Sequence, residues 1–151
     1  MNFALAAPLK ERHMITGGCL CGKIRYEADV ESFLAVRCHC RDCQYVAGGE
    51  PTAVISVARR GLRVQGEPRA YRSRADSGVA VFRSFCADCG TPLFAGNEKD
   101  AEFIAIKLGS LDEPSKFAPA GHIWTSSAQP WHHIDTNAQI LFSKNFGSPA
   151  N

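Results

Sequence analysis

Seven cysteines fall into three groups along the chain: Cys19-x-Cys21, Cys38-x-Cys40-x-x-Cys43 and Cys86-x-x-Cys89. None stands alone, and each group has a spacing at which thiolates chelate a metal ion. An odd number of cysteines cannot pair off into disulfides. Sulfurs sharing one tetrahedral zinc lie less than about 4 Å apart, whereas residues i and i+2 of a regular strand stand roughly 7 Å apart. A C-x-C pair that shares an ion must therefore sit on a tight turn. Gly17, Gly18 and Gly22 around the first pair permit one, and Cys86-Ala87-Asp88-Cys89-Gly90 has the form of a zinc knuckle.

Seven thiolates divide most simply into four and three. Cys38, Cys40 and Cys43 lie within six residues and can close on one ion by themselves. The two pairs would then complete one another across the fold. A four-sulfur site is closed and structural, and a three-ligand site keeps a position for water or substrate. Other pairings stay open, as do two closed sites with a histidine as eighth ligand. His39 is the nearest candidate, but its place between two ligands aims its side chain away from the metal. A dithiol redox role for Cys86 and Cys89 lacks the βαβ surroundings it would need.

Other side chains could serve such a site. Arg37 and Arg41 flank the three-cysteine group and could offset its negative charge. Residues 59–74 hold Arg59, Arg60, Arg63, Arg69, Arg72 and Arg74 against Glu67 alone. That stretch suits a wall for carboxylates, and equally a charged hairpin edge that resists aggregation. His122, His132 and His133 titrate near neutrality and could carry protons. Gln44 follows the three-cysteine loop and could reach a ligand there. Trp124 and Trp131 read as core or pocket wall.

The elements that must position these groups are short strands. Lys23–Ala28 alternates, with Ile24, Tyr26 and Ala28 on one face. Further strands are expected at Phe33–Val36, Thr52–Val57, Leu62–Gln65, Arg69–Arg72, Val79–Phe85, Pro92–Phe94, Glu102–Leu108 and His122–Trp124. One helical turn is expected over Gln44–Gly49. Turn residues recur every 8–12 positions, the pattern of an all-β sandwich or barrel-like fold. Residues 1–13 read as an N-terminal arm, 14–142 as a single zinc-binding β domain, and 143–151 as an irregular tail.

The chain has 151 residues, 45% hydrophobic and 21% charged, with 17 basic and 15 acidic side chains for a net charge of +2. This is globular composition with no strong field for nucleic acid. No apolar run approaches the ~18 residues of a membrane helix, and residues 1–13 do not resemble a signal peptide. The expected compartment is the cytoplasm, where thiols stay reduced.

Three strings resemble the glutathione-dependent formaldehyde-activating enzyme family, which includes the centromere protein V relatives. They are Gly17-Gly18-Cys19-Leu20-Cys21-Gly22-Lys23-Ile24-Arg25-Tyr26, Cys38-His39-Cys40-Arg41-Asp42-Cys43-Gln44 and Phe85-Cys86-Ala87-Asp88-Cys89-Gly90-Thr91-Pro92-Leu93. The resemblance runs over about residues 14 to 131. It implies a small, mainly β, mostly antiparallel zinc-bound fold with little helix. It also implies a structural zinc on Cys19, Cys21, Cys86 and Cys89, and an exchangeable zinc on Cys38, Cys40 and Cys43. The implied activity is that of a carbon–sulfur lyase on glutathione adducts, with glutathione as co-substrate. His122 lies in a segment like the family's C-terminal signature and is the first choice as catalytic proton carrier. Arg41 and Gln44 are the choices for contacts to the thiol ligand. The competing reading is a non-catalytic zinc module for a protein or nucleic-acid partner. The sequence leaves the oligomeric state open.

Overall fold

The computed structural model describes residues 12–31, 33–100 and 102–145. Residues 1–11 of the expected arm and 146–151 of the expected tail lie outside the described residues. Strand β1 (His13–Gly18) pairs antiparallel with β2 (Arg25–Val30). The predicted alternation holds in β2, where Tyr26, Ala28 and Val30 are buried while Arg25 and Glu27 face solvent. Then follow β3 (Leu34–Cys38), the short helix α1 (Arg41–Val46), β4 (Thr52–Ala58), β5 (Leu62–Gln65) and β6 (Arg69–Arg74). The chain continues with β7 (Ala80–Phe85), β8 (Pro92–Asn97), β9 (Phe103–Lys107), β10 (Gly121–Ile123) and β11 (Ile140–Leu141).

The strands form two sheets. One has three strands in the order β1-β2-β5, and the other has eight in the order β11-β10-β3-β4-β9-β8-β7-β6. Pairing is antiparallel except at β10, which runs parallel to both β3 and β11. The fold is therefore mainly β with little helix, as expected. The main core lies between the sheets: Ile15, Tyr26, Ala28 and Val30 of the small sheet meet Ile55, Phe94, Ile104 and Ile106 of the large one. Tyr26 meets Phe94 edge to face, with ring centroids 5.1 Å apart. A second cluster covers the opposite face of the large sheet, with Val36, Cys38, Cys43 and Ile123 at its centre.

Three local differences from the sequence reading stand out. The helical turn begins earlier than expected, at Arg41, because Cys40 caps it: the Cys43 N–H donates to Cys40 Sγ at 3.4 Å. Strand β1 was not expected, since a segment with two glycines carries a weak strand signal. Strand β11 has two residues and exists only through its pairing with β10. In β1, Gly17 is required by close approach. A Cβ at that position would collide with the Tyr26 hydroxyl and the Ser110 carbonyl oxygen.

Gly17→Ala should therefore lower stability by about 1–3 kcal/mol through overpacking, a fall of several degrees in Tm. A thermal melt checks this; an unchanged Tm would mean that β1 does not lie against Ser110.

Candidate metal centres

The first cysteine cluster is built from two turns that face each other. The Cys19–Gly22 turn is closed by the Gly22 N–H donating to the Cys19 carbonyl at 3.0 Å, with Gly22 at φ 78°. Opposite it, the Gly90 N–H donates to the Cys86 carbonyl at 2.9 Å, with Gly90 at φ 74°. The turns are joined directly: the Leu20 N–H donates to Thr91 Oγ1 at 3.0 Å, and Lys23 pairs with Asp88 at 2.9 Å. The sulfurs of Cys19, Cys21, Cys86 and Cys89 all lie within 4.8 Å of one another. Cys19 to Cys21 is 3.5 Å and Cys21 to Cys86 is 3.7 Å, inside the limit of about 4 Å for sulfurs on one zinc. The donor set and its spacing fit a tetrahedral ion. Thr91 serves this cluster further: its hydroxyl and N–H hold the Cys89 thiol down to about 5.

The second cluster lies on the other face of the large sheet. Cys38 ends β3, Cys40 caps α1 and Cys43 lies in its first turn, so one capped helix brings the three sulfurs within 4.8 Å of one another. Among the described residues, no fourth histidine, cysteine or carboxylate joins them. Instead they line a cavity of about 530 Å³, walled by Arg41, Arg83, Asn97 and Trp124 among others. Cys43 is drawn down to about 2 by hydrogen bonds from Cys38 and Cys40, with Lys107 and Arg83 adding in the same direction. Cys38 is pushed up by those same bonds and by burial. No disulfide joins any of the seven cysteines.

The expected accessory residues are distributed unequally. Arg41 reaches the cavity wall, where it stacks over Tyr45 and donates to Gln44 Oε1. Gln44 is buried with its hydrogen bonds taken up inside the protein. Its Nε2 donates to the carbonyls of His39 and Ser127 at 2.7 and 2.8 Å, and its Oε1 also accepts from Gln129 at 3.1 Å. Arg37 alternates with Cys38 along β3 and so belongs to the opposite face. The cations that bear on Cys43 are Lys107 and Arg83. Lys107 was not singled out in the sequence, although register pairing with Val54 places it on the sulfur face. The 59–74 arginines do not form one wall. Arg59 and Arg60 lie in the turn before β5, Arg63 in the small sheet and Arg69, Arg72 and Arg74 in the large one, and Arg60, Arg63 and Arg72 pair with Glu31, Glu27 and Glu98. Arg74 alone of that stretch lines the cavity. Trp124 lines the same cavity in a left-handed conformation, φ 58°, while Trp131 is largely exposed.

His122 does not line this cavity. Its register partner is Arg37, so it belongs to the opposite face, and it is buried. His39 also turns away from the sulfurs. His39, His122 and His132 form a buried chain whose tautomers are set by its ends. The Asp135 N–H donates to His122 Nε2 at 3.3 Å, which leaves the His122 proton on Nδ1 to be donated to His39 Nε2 at 2.9 Å. His39 Nδ1–H then donates to His132 Nδ1 at 2.9 Å, and His132 Nε2–H donates to the Gly49 carbonyl at 2.8 Å. Burial, and the neighbouring His122 and His132, push His39 down to about 4. Among the described residues no helix is long and apolar enough to cross a membrane.

These features lead to four expectations. Cys86→Ala should lose a tightly held metal ion and most of the folded state, because a structural metal is part of the folding free energy. Cys40→Ala should lose a second ion yet keep the far-UV spectrum; metal analysis with circular dichroism checks both, and equal melting of the two variants would contradict the division of roles. Nitrogen-15 NMR should find the proton of His122 and of His39 on Nδ1 and that of His132 on Nε2. Since His39 is depressed from 6.5 to about 4, the unfolded chain binds the extra proton between those values. Stability should therefore fall as pH drops from about 6.5 towards 4, which denaturant melts across that range would show.

Comparison with known proteins places this geometry in a family. A crystal structure of a Rhodobacter sphaeroides protein, determined as a structural-genomics target, shares the fold with a TM-score of 0.52 at 20% identity. The match covers 64% of this chain and 87% of that one. No curated protein matches the chain in sequence at a significant level. The family model for the glutathione-dependent formaldehyde-activating enzyme matches residues 14–127, a span that takes in all seven cysteines. The chain thus belongs to the glutathione-dependent formaldehyde-activating enzyme family.

Proposed function

We propose that this protein is a zinc-dependent carbon–sulfur lyase that forms or cleaves S-hydroxymethylglutathione. One observation carries this reading. The sulfurs of Cys38, Cys40 and Cys43 converge on a cavity with no fourth protein ligand among the described residues, the arrangement of a site that leaves a position for an outside ligand. A non-catalytic zinc module would have its ligand set closed. Cys19, Cys21, Cys86 and Cys89 hold a structural zinc in this reading, and the three-cysteine site holds an exchangeable one. Zinc bound there supplies Lewis acidity, keeping a thiol deprotonated and stabilising a departing thiolate.

The remaining roles belong to the chain itself. In the forward direction the glutathione sulfur bonds to the formaldehyde carbon, and the thiol proton ends on the carbonyl oxygen. The reverse breaks the carbon–sulfur bond. The cavity volume of about 530 Å³ suits a small peptide. Arg41 and Arg74 at its wall can receive carboxylates. Gln44 braces the cysteine loop by bonding the His39 carbonyl. His122 acts at one remove, fixing His39 and with it the turn from Cys38 to Cys40. The cytoplasm, a reducing compartment, suits seven unpaired thiols.

Carbon-13 NMR of formaldehyde exchanging with glutathione tests the reading. The zinc-loaded protein should speed the exchange, and Cys40→Ala should return it to the uncatalysed rate without unfolding. A wild-type protein holding two zincs with no effect on the exchange would overturn the proposal in favour of a binding module.

A further inference from the structure

Lys107 is a buried lysine, 5% exposed, in the middle of a β-sheet. Lysine is rarely buried unless a negative charge compensates for its lost hydration. Among the described residues no carboxylate forms an ion pair with it. The sheet register explains what it faces instead. Lys107 lies opposite Val54, and Val54 lies opposite Val36, two residues before Cys38. These side chains share one face, the one that carries the cysteine loop. Burial pushes the Lys107 ammonium towards its neutral form, and the sulfurs of Cys43, Cys38 and Cys40 act the other way. Arg83, the other cation beneath the loop, already donates to Asp42 at 2.9 Å and to Ser73 at 3.0 Å. Arg41 and Arg74 at the cavity wall are exposed to solvent, so Lys107 is the buried cation of this face without a carboxylate partner among the described residues.

We infer that Lys107 is the built-in counter-charge of the three-cysteine site, and that it selects for an incoming ligand that binds as an anion. The inference rests on the proposed function. Three thiolates around a divalent ion carry a net charge of −1, and a fourth thiolate raises it to −2. A fixed ammonium in a water-poor setting changes these totals to 0 and −1, and Coulomb energies are large where the dielectric is low. When a thiol binds, its S–H bond breaks, the electron pair stays on sulfur and the proton leaves to solvent. Binding then adds one negative charge, and with Lys107 in place it is added to a neutral site instead of one already at −1. Lys107 acts as a positioning charge; it is not a metal ligand.

The test compares wild type, Lys107→Met and Lys107→Arg as full-length zinc-loaded proteins. Glutathione affinity is measured by calorimetry, zinc retention by chelator challenge, and a glutathione analogue with –CH3 in place of –SH is run beside it. Lys107→Met should weaken glutathione by about tenfold, equivalent to ~1.4 kcal/mol. It should leave zinc retention and affinity for the analogue unchanged, and Lys107→Arg should restore tight glutathione binding. Unchanged glutathione affinity overturns the inference. Loss of zinc together with glutathione makes Lys107 merely structural, and equal loss of the analogue makes it a carboxylate contact; either result overturns it too. A wild-type protein with only one zinc, or with no affinity for glutathione, overturns the proposed function itself.

Discussion

Thiolates packed at van der Waals distance repel one another, and the architecture is arranged around that repulsion. Four sulfurs within 4.8 Å in one cluster and three in another cannot all be ionised unless a cation sits among them. A divalent metal would meet that requirement at each cluster. The protein adds graded help of its own: Thr91 at Cys89, and Lys107 with Arg83 at Cys43. The four-sulfur cluster also spans the two sheets, since its first pair follows β1 and its second pair lies between β7 and β8. Holding those turns together holds the small sheet against the large one, over the core of Ile15, Tyr26, Phe94 and Ile106.

The large sheet separates the main core from the three-cysteine cluster by its two faces. One face packs on the small sheet. The other carries Val36, Cys38, Val54 and Lys107, with α1 and Trp124 above them. Strand alternation makes the separation strict, because a shift of one residue exchanges the faces. Arg37 and Cys38 are neighbours in sequence but point to opposite faces. The same rule sends His122 to one side and its neighbour Ile123 to the other.

The buried histidine chain connects the two sides. His39 sits between two cysteines of the open cluster, and its ring lies on the far side, held by His122 and His132. Each ring nitrogen in the chain has a partner, so the group is satisfied without any carboxylate. Its donors and acceptors run in one direction, from the Asp135 N–H to the Gly49 carbonyl. Such a chain makes the Cys38–Cys40 turn stiff from behind while leaving its sulfurs open in front.

Much of this protein was legible in its sequence. The spacing of seven cysteines points to two clusters, the glycines beside them to tight turns, and the alternation of residues 23–28 to a half-buried strand. These are local properties, set by backbone sterics and by the short reach between neighbours. The partners of single side chains were less legible. Nothing local marks Lys107 as a counter-charge, because its meaning comes from β9 pairing with β4 and β4 with β3. His122 is a neutral, internally bonded histidine only because residues 39, 132 and 135 converge on it. The 59–74 arginines look like one basic wall in the sequence, and pairing in two different sheets disperses them. The donor atoms and the turns that carry them follow from residue types and local spacing. Which charges face those atoms follows from the packed fold, because charge and burial depend on distance in space, and strand register sets that distance across residues far apart in the chain.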